Sequence, residues 1–270
     1  RMALTDFQRT VCLLIAATRI ESGVSYVAGG AALNELLRGD RRSRDNDLFH
    51  DTEEAVQAAW ESDRALLVAT RFRVMPLRER PSFVEARVSQ GAESVLLQWA
   101  RDSAFRFFPL VEHDELGLTL HPFDLATNKV LAMVGRLEVR DWIDVIQCER
   151  RLQPLGYLAW AACGKDPGFS PGAIIELAAK TTRYTAADLA GLDFASDPPD
   201  LAALSREWHD MVRRARSVVS TLPASGAGTC VLTRELALFS GDQSELRTAL
   251  ARGEIIYHAG TIEGALPQIR

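Results

Sequence analysis

The stretch "YVAGGAALNELLRGDRRSRDNDLFHD", residues 26–51, carries the pattern that decides the fold. Residues 24–28 (VSYVA) predict a short strand that ends at Gly29-Gly30, where a turn-forming pair follows apolar residues. The next residues, AALNELLR, predict a helix, and DNDLFHD predicts a second strand. A strand, a glycine turn, a helix and a second strand this close together indicate an α/β unit.

The second strand places two carboxylates side by side. Side chains alternate along a strand, so Asp45 and Asp47 are expected on one face, whereas Asn46 and Leu48 face the other way. Two carboxylates this close raise each other's pKa unless a cation lies between them. Magnesium suits such a site because it binds a few carboxylates together with phosphate oxygens. Taken alone, the pattern is also typical of a solvated strand end.

The glycine pair lies between a strand and a helix, where free backbone N–H groups and the helix dipole favour a bound anion. Gly29 and Gly30 are equally typical of a tight turn that needs positive φ angles. Ser43 and Arg44 would add a hydroxyl and a guanidinium for phosphate groups. Alternatively, the loop forms a solvated basic surface made by Arg41, Arg42 and Arg44.

The composition is that of an ordinary globular protein, with 270 residues, 47% of them hydrophobic and 25% charged. A net charge of −5 argues against general nucleic-acid binding of the histone type. The four cysteines are far apart, which argues against a zinc site or a disulfide framework and favours the cytoplasm. No apolar run is long enough to predict a membrane span or a signal peptide.

The order of the predicted elements indicates an α+β protein. Helical and strand patterns are mixed up to about residue 120, and helical patterns dominate from Pro122 to about residue 222. We therefore predict a mixed α/β domain over residues 1–122 and a helical C-terminal domain over residues 123–270. A second basic cluster lies in the helical part. It comprises Arg206, Arg213, Arg214 and Arg216.

Two segments resemble a known family. Gly29-Gly30, Ala32-Leu33, Arg42-Ser43 and Asp45-Asn46-Asp47-Leu48 resemble the "GG-x-AL … R-x-S-x-D-x-D-L" segment of AbiEii-like nucleotidyltransferases. These are toxins of abortive-infection and toxin–antitoxin systems within the polymerase-β-like superfamily. The second segment, FDLATNKVLAMVGRLEVRDWIDVI (residues 123–146), is similar to the family's "A-x-K-x-x-A … R-x-x-x-R-D-x-x-D" run. It maps the family's lysine to Lys129 and its acids to Asp141 and Asp144.

The resemblance implies a nucleotidyltransferase-like mixed sheet with flanking helices and a magnesium-dependent transfer from an NTP to a cellular acceptor such as tRNA. A cognate antitoxin protein is an implied partner. Asp45 and Asp47 would hold Mg²⁺, and the phosphates would lie against a cradle formed by Gly29, Gly30, Ser43 and Arg44. Lys129, Asp141 and Asp144 would complete the catalytic set.

Two departures from the family pattern keep other functions open. Asn46 stands between the aspartates, where the family has an apolar residue. The superfamily also places a third carboxylate on a neighbouring strand, and the predicted strand SVLLQWARD offers Gln98 there. Three acids are candidates to replace it: Glu85, Glu93 and Asp102. The alternatives are a small-molecule (antibiotic-type) nucleotidyltransferase and a catalytically weak partner-binding module.

Read from its residues alone, the second segment predicts one helix over residues 125–140. Such a helix would align Lys129, Met133, Arg136 and Arg140 on one cationic face, although Gly135 could break it. Asp141 and Asp144 are also typical of a helix N-cap followed by an acidic residue in the first turn. The chain uses 28 arginines and only three lysines, Lys129, Lys165 and Lys180, so each lysine is informative. His50, three residues after Asp47, is more typical of a surface position than of a catalytic group.

Overall fold

The computed structural model describes residues 4–43, 45–181 and 184–269, so Arg44 lies outside the described residues. The chain divides into two units. The first comprises Arg1–Ala104 and Leu110–His121, and the second comprises Phe105–Pro109 and Pro122–Arg270.

Helices and strands alternate in the first part of the chain, and helices predominate afterwards. The helices are α1 (Asp6–Ser22), α2 (Gly29–Leu36), α3 (Glu53–Ala69), α4 (Pro122–Arg136), α5 (Val139–Arg151), α6 (Leu155–Ala162), α7 (Pro171–Ala178), α8 (Ala186–Ala190), α9 (Leu201–Thr221) and α10 (Gln243–Arg252). The strands are β1 (Ser25–Ala28), β2 (Arg41–Arg42), β3 (Asp45–His50), β4 (Arg73–Arg80), β5 (Phe83–Gln90), β6 (Glu93–Arg101), β7 (Phe105–Arg106), β8 (Val111–His113), β9 (Gly117–Thr119), β10 (Asp193–Phe194), β11 (Thr229–Leu232), β12 (Ile256–Ala259) and β13 (Thr261–Ile262).

The first unit is built on a seven-stranded mixed sheet with the strand order β4-β5-β6-β3-β1-β9-β8. Strands β4, β5 and β6 form an antiparallel meander, β6 is parallel to β3, and β3 is antiparallel to β1. The predicted strand–glycine–helix–strand unit is therefore present as β1, α2 and β3. The mixed sheet with flanking helices confirms the predicted fold class.

One face of this sheet forms the core of the first unit beneath α1 and α3. Trp99 of β6 is fully buried and packs edge-on against Trp60 of α3, with ring centroids 4.8 Å apart. Asp63 of α3 is buried with it, and its carboxylate accepts hydrogen bonds from Trp99 Nε1 and Arg19 Nη2, both at 2.9 Å. The buried charge is thus paired, as the cost of desolvation requires.

His50 also belongs to this buried face, so its predicted surface position is wrong. It is fully buried at the end of β3, and its Nε2 lies 3.0 Å from Ser25 Oγ. Burial disfavours the charged imidazolium and lowers the pKa of His50 to about 4. The ring is therefore neutral near neutral pH.

The second unit contains α4–α10. The single helix predicted over residues 125–140 is interrupted in the structure. α4 ends at Arg136, Leu137 adopts a positive φ of 55°, and α5 begins at Val139. Arg140 therefore lies on a different helix from Lys129 and forms an ion pair with Glu138. The predicted four-residue cationic face over residues 125–140 is wrong, because the helix axis does not continue through Leu137.

Candidate active site

Strand β3 presents Asp45 and Asp47 on the face of the sheet opposite the core. Both aspartates are half-buried, whereas Asn46 and Leu48 between and after them are fully buried. Asn46 faces the core beneath α1, where its Nδ2 lies 3.1 Å from Cys12 Sγ. The alternation predicted from the sequence is present, and it leaves both carboxylates on the accessible face.

Gly29 lies directly against the carboxylate of Asp47. Its φ is +70°, and a Cβ at this position would lie 1.9 Å from Asp47 Oδ2. The contact arises because β1 and β3 are antiparallel neighbours with Ala28 opposite Asp47, so α2 starts beside the carboxylate. The interpretation of a turn that needs a positive φ is confirmed for Gly29, whereas anion binding at this helix start remains a prediction. The backbone needs the left-handed conformation, and the carboxylate needs the space of the missing side chain.

Gly30 makes a similar close approach to a buried arginine. A Cβ on Gly30 would lie 2.3 Å from Arg41 Nη2 and 3.6 Å from Ser43 Oγ. Arg41 is 5% exposed, and its Nη1 donates to the carbonyl of Arg42. The solvated-loop alternative is therefore wrong for Arg41. A guanidinium and a hydroxyl lie beside the first turn of α2, where free N–H groups favour an anion.

Arg41 is the site residue that sequence reasoning missed. The resemblance quoted above pairs Arg42 with Ser43 and predicts phosphate binding by Arg44. The spacing of the family's R-x-S pattern, two residues before Ser43, points to Arg41 instead. Spacing was thus the signal that could have found it.

Two buried amides hold the main chain of this site in place. Gln8 on α1 is 4% exposed, and its Nε2 donates to the carbonyl of Ser43 at 2.8 Å. Ser43 Oγ in turn donates to the carbonyl of Asp45 at 3.0 Å. Asn34 on α2 donates to the carbonyl of Gly30 at 2.9 Å. These bonds tie Ser43 to α1 and to the start of β3, and they satisfy a carbonyl in the first turn of α2.

Gln98 on β6, the strand next to β3, lies where the family resemblance predicts a third carboxylate. Gln98 on β6 lies directly opposite Asp47 on β3, and Glu85 on β5 lies directly opposite Gln98. Residues opposite one another share a face of the sheet, and Gln98 Nε2 donates to Glu85 Oε2 at 2.9 Å. Asp47, Gln98 and Glu85 therefore form a row across three strands.

The other two acids proposed to replace the third carboxylate lie elsewhere. Glu93 is five residues before Gln98 on the regularly paired β6, so it projects from the opposite face. Asp102 follows the end of β6, and its carboxylate accepts a hydrogen bond from the N–H of Ser103 at 2.7 Å. Of the three candidates, Glu85 is therefore the one in the same row as Asp47. It lies on β5, two strands from β3, and not on the adjacent strand β6.

The second motif segment forms a separate charged cluster within the second unit. Lys129 Nζ on α4 lies 2.9 Å from Asp141 Oδ1 and 3.1 Å from Asp144 Oδ2, both on α5. Arg136 contributes two further hydrogen bonds to Asp141, at 2.6 and 2.9 Å. Both carboxylates are fully buried, and Lys129 is 7% exposed. The structure thus brings together the lysine and both acids of this segment.

Burial alone would raise the pKa of Asp141, because it disfavours the charged carboxylate. The hydrogen bonds from Arg136 and the charge of Lys129 outweigh burial, and they hold the pKa of Asp141 below its ordinary value. Asp141 is therefore a carboxylate near neutral pH, and Lys129 is its counter-ion. Asp141 lies in the first turn of α5, whose N-cap is Glu138, so the alternative that makes Asp141 the N-cap is wrong by three residues.

Lys165 forms a comparable buried pair that neither motif segment indicated. Its Nζ lies 2.8 Å from Asp124 Oδ1, and Asp124 is fully buried. The same carboxylate accepts hydrogen bonds from the backbone N–H groups of Phe107 and Phe108 at 2.9 and 3.0 Å. Asp124 thus attaches the segment Phe105–Pro109 to the start of α4.

Among the residues that the structure describes, no group of three or more His, Cys, Asp or Glu side chains is arranged to hold a metal ion. Over the same residues, no helix combines the length and the apolar character that crossing a membrane requires.

Comparison with known proteins gives structural neighbours but no sequence relatives. No family model matches the chain, and no curated protein sequence matches it. MenT4, a nucleotidyltransferase toxin from Mycobacterium tuberculosis, is similar in structure with a TM-score of 0.53 and 17% identity over 90% of each chain. A proposed nucleotidyltransferase from H. pylori has a TM-score of 0.50 and 14% identity over 82% of this chain and 99% of its own. At these identities the likeness shows a nucleotidyltransferase-like fold.

Proposed function

We propose that this protein is a magnesium-dependent nucleotidyltransferase that moves a nucleotide from an NTP to a cellular acceptor, with tRNA as the acceptor and growth arrest as the outcome. The observation that carries the proposal is the contact between Gly29 and the Asp47 carboxylate. It joins the two halves of the sequence motif, an anion-binding helix start and a paired-carboxylate strand, into one site. The nucleotidyltransferase-like fold and the toxin MenT4 among the structural neighbours support it.

The donor set fits magnesium bound together with a nucleotide. Two carboxylates on one face of β3 supply too few ligands to enclose a metal ion by themselves. Magnesium is commonly held by one or two carboxylates plus substrate phosphates. Asp45 and Asp47 would hold the ion, which would neutralise charge on the triphosphate when bound.

The chain's own residues would bind and orient the triphosphate. Arg41 would bring the positive charge of its buried guanidinium to a phosphate beside the first turn of α2. Ser43 Oγ and the N–H groups of Gly29 and Gly30 would complete the cradle. Phosphoryl transfer depends mainly on positioning and electrostatic stabilisation, so a rigid cradle of this kind supplies much of the required catalysis.

Gln98 limits the chemistry that the site can perform. An amide cannot take the proton of the acceptor hydroxyl, and Glu85 lies one strand beyond the usual position. Loss of a positioned general base typically costs 10²–10⁴-fold in rate. We therefore expect slow turnover, and the same feature favours a catalytically weak partner-binding module as the second candidate function.

For Lys129, Asp141 and Asp144 the contacts favour a structural role over direct contact with substrate. The ammonium already has two carboxylate partners, and both carboxylates are fully buried. The earlier assignment of these three residues to catalysis remains a prediction. Replacing Lys129 while measuring both stability and turnover separates the two roles, as set out below.

The proposal is tested by incubating the full chain with each of the four labelled NTPs, with and without Mg²⁺, in the presence of total tRNA. We expect magnesium-dependent labelling of RNA with one preferred NTP and none with Asp47→Asn. Expression in a bacterial host should arrest growth for the wild type but not for Asp47→Asn. Labelling that persists in Asp47→Asn would refute the proposed site. No labelling with any NTP, together with growth arrest by both proteins, would favour the partner-binding module.

A further inference from the structure

Strands β4 and β5 form a ribbon at one edge of the seven-stranded sheet. β4 is the terminal strand in the sheet order, and every one of its residues except Val74 is exposed. Eight residues at about 3.3 Å each give the strand a length of roughly 25 Å. This ribbon is an accessible surface on the same sheet as Asp45 and Asp47.

The pairing register places the arginines of this ribbon on the carboxylate face. Asp47, Gln98 and Glu85 share that face, and β5 side chains at positions 83, 85 and 87 therefore project from it. Their opposite residues on β4 are Arg80, Arg78 and Met75, and Arg73 lies opposite Ser89. Four arginines thus lie on this side of the sheet, and we call them the arginine face. They are Arg73, Arg78, Arg80 and Arg87.

A β-bulge produces this arrangement. The register shifts by one residue between Pro76 and Arg78, so Leu77 has no opposite residue on β5. Without the shift, strict alternation from Arg73 would direct Arg78 and Arg80 to the other face. Bulges are known to re-aim side chains near functional sites. Here the bulge keeps three β4 arginines on the side that carries Asp47.

The arginine face carries one carboxylate among its four arginines, because Glu85 lies opposite Arg78 on the same side of the sheet. In the described part of the chain, none of its four guanidinium groups lies within 4.0 Å of a carboxylate oxygen. Arg78 instead lies over the ring of Phe83, 5.8 Å from its centroid. The basic cluster on α9 is different, because three of its arginines are paired with acids. The pairs are Arg213–Asp210, Arg214–Glu149 and Arg216–Glu176.

We propose that the arginine face binds the phosphate backbone of the RNA acceptor while the end of that RNA reacts at Asp45 and Asp47. The inference rests on the proposed function and names the surface that would select its substrate. Three strand spacings of about 4.8 Å separate β3 from β4, so the arginines lie roughly 14 Å from the carboxylates. A small-molecule acceptor would not reach this surface, whereas a polynucleotide would follow it. Arginine guanidinium groups suit phosphate recognition because their donors form a planar fork.

The test compares two variants of the full chain with equal loss of charge. The ribbon variant carries R73Q, R78Q and R80Q, and the matched control carries R213Q, R214Q and R216Q on α9. Fluorescence anisotropy measures the Kd for a labelled tRNA pool and for a single-stranded RNA oligonucleotide between 50 and 200 mM salt. We expect the ribbon variant to bind roughly tenfold or more weakly and to lose about 0.7 of salt slope per phosphate contact on a single strand. The control should bind like the wild type.

A second variant keeps the net charge constant and guards against poor folding of the triple mutant. Arg78→Glu combined with Glu79→Arg exchanges the positive charge on the arginine face for the negative charge on the opposite face of β4, which lowers the charge of the arginine face by two units. It should weaken RNA binding, whereas an effect of overall charge would leave binding unchanged. Wild-type RNA affinity in both the ribbon variant and the charge swap would overturn the proposal and leave the surface to a protein partner.

Failure of this inference and failure of the proposed function are distinguishable. RNA binding that depends on the arginine face, without transfer by the wild type, would refute the function but not the surface. Transfer by the wild type with an unchanged KM for RNA in the ribbon variant would refute the surface but not the function. Equilibrium dialysis with Mg²⁺ and the preferred NTP should give equal Kd values for wild type and both triple variants.

Discussion

Replacing Gly29 with alanine tests the central contact of the site. The new Cβ would lie 1.9 Å from Asp47 Oδ2, and an ordinary contact requires about 3.5 Å. The carboxylate oxygen must therefore move by about 1.5 Å. A displacement of this size at a catalytic group can cost on the order of 10²-fold in rate. We expect Gly29→Ala to lose at least that much turnover.

The effect on stability should be much smaller than the effect on activity. Gly29 has a φ of +70°, and a residue with a Cβ costs about 1–2 kcal/mol in that conformation. The clash is relieved by turning the half-buried Asp47 side chain about its Cα–Cβ bond, because Cγ as well as Oδ2 would lie too close to the new Cβ. The free energy of unfolding, measured with urea, should therefore fall by about 1–2 kcal/mol.

Gly23 provides the matched control. Its φ is +68°, and a Cβ there would meet no atom within 4 Å. Gly23→Ala should therefore lose the same 1–2 kcal/mol of stability through the backbone while retaining wild-type turnover and Kd for Mg²⁺–NTP. Equal loss of activity in the two variants would show that backbone strain, rather than the Asp47 contact, limits the site. Wild-type turnover in Gly29→Ala would refute the proposed geometry.

Three further predictions follow from the same contacts. Asp45→Asn and Asp47→Asn should each abolish transfer while leaving the thermal midpoint unchanged or slightly raised, since carboxylate repulsion is relieved; a lowered midpoint would contradict this. Lys129→Met should cost on the order of 3–5 kcal/mol in urea unfolding because it removes the ammonium that two buried carboxylates share, although Arg136 still binds Asp141. Exposed Lys180→Met should change stability by less than about 0.5 kcal/mol, and a loss of turnover at unchanged stability in Lys129→Met would instead place Lys129 at the substrate. The folded-state pKa of His50, about 4, lies below its unfolded value near 6.5, so its contribution to stability is present above pH 6.5 and is lost as the pH falls. The free energy of unfolding should fall by about 2 kcal/mol as the pH is lowered to 5. Urea unfolding of His50→Gln should depend less steeply on pH over that range.

The sequence predicted the parts of the fold that depend on local pattern. The strand–glycine–helix–strand order, the alternation of Asp45 and Asp47, and the helices after Pro122 all follow from periodicity and turn residues. Gln98 was also expected on the strand beside Asp47, and the register confirms that neighbour. A period of two fixes the face of a strand residue wherever one side is buried.

The parts that failed depend on contacts between distant segments. Arg41 is buried because Gly30 leaves space for its guanidinium, and no local pattern encodes that space. His50 lies on the buried face of β3. Because histidine is polar, the sequence does not indicate that this position is buried. The helix break falls at Leu137 rather than at Gly135, although glycine is the residue that tolerates a positive φ. Tertiary packing overrode local preference at Arg41 and His50, whereas Leu137 is 50% exposed and its positive φ has no packing explanation.

The scarce lysines of this chain are informative about packing, and a catalytic role for Lys129 remains a prediction. Lys129 and Lys165 each place an ammonium within 3.1 Å of a fully buried carboxylate, and both side chains are 8% exposed. An ammonium is compact and can direct its three donors to separate acceptors, whereas a guanidinium is broader and planar. Lys129 uses that geometry to meet one oxygen from each of two aspartates on α5. Arginine would need a larger buried site at the same point, so a chain that uses arginine elsewhere keeps lysine here because of packing. This explanation covers Lys165 as well, which lies outside both motif segments and has no proposed catalytic role.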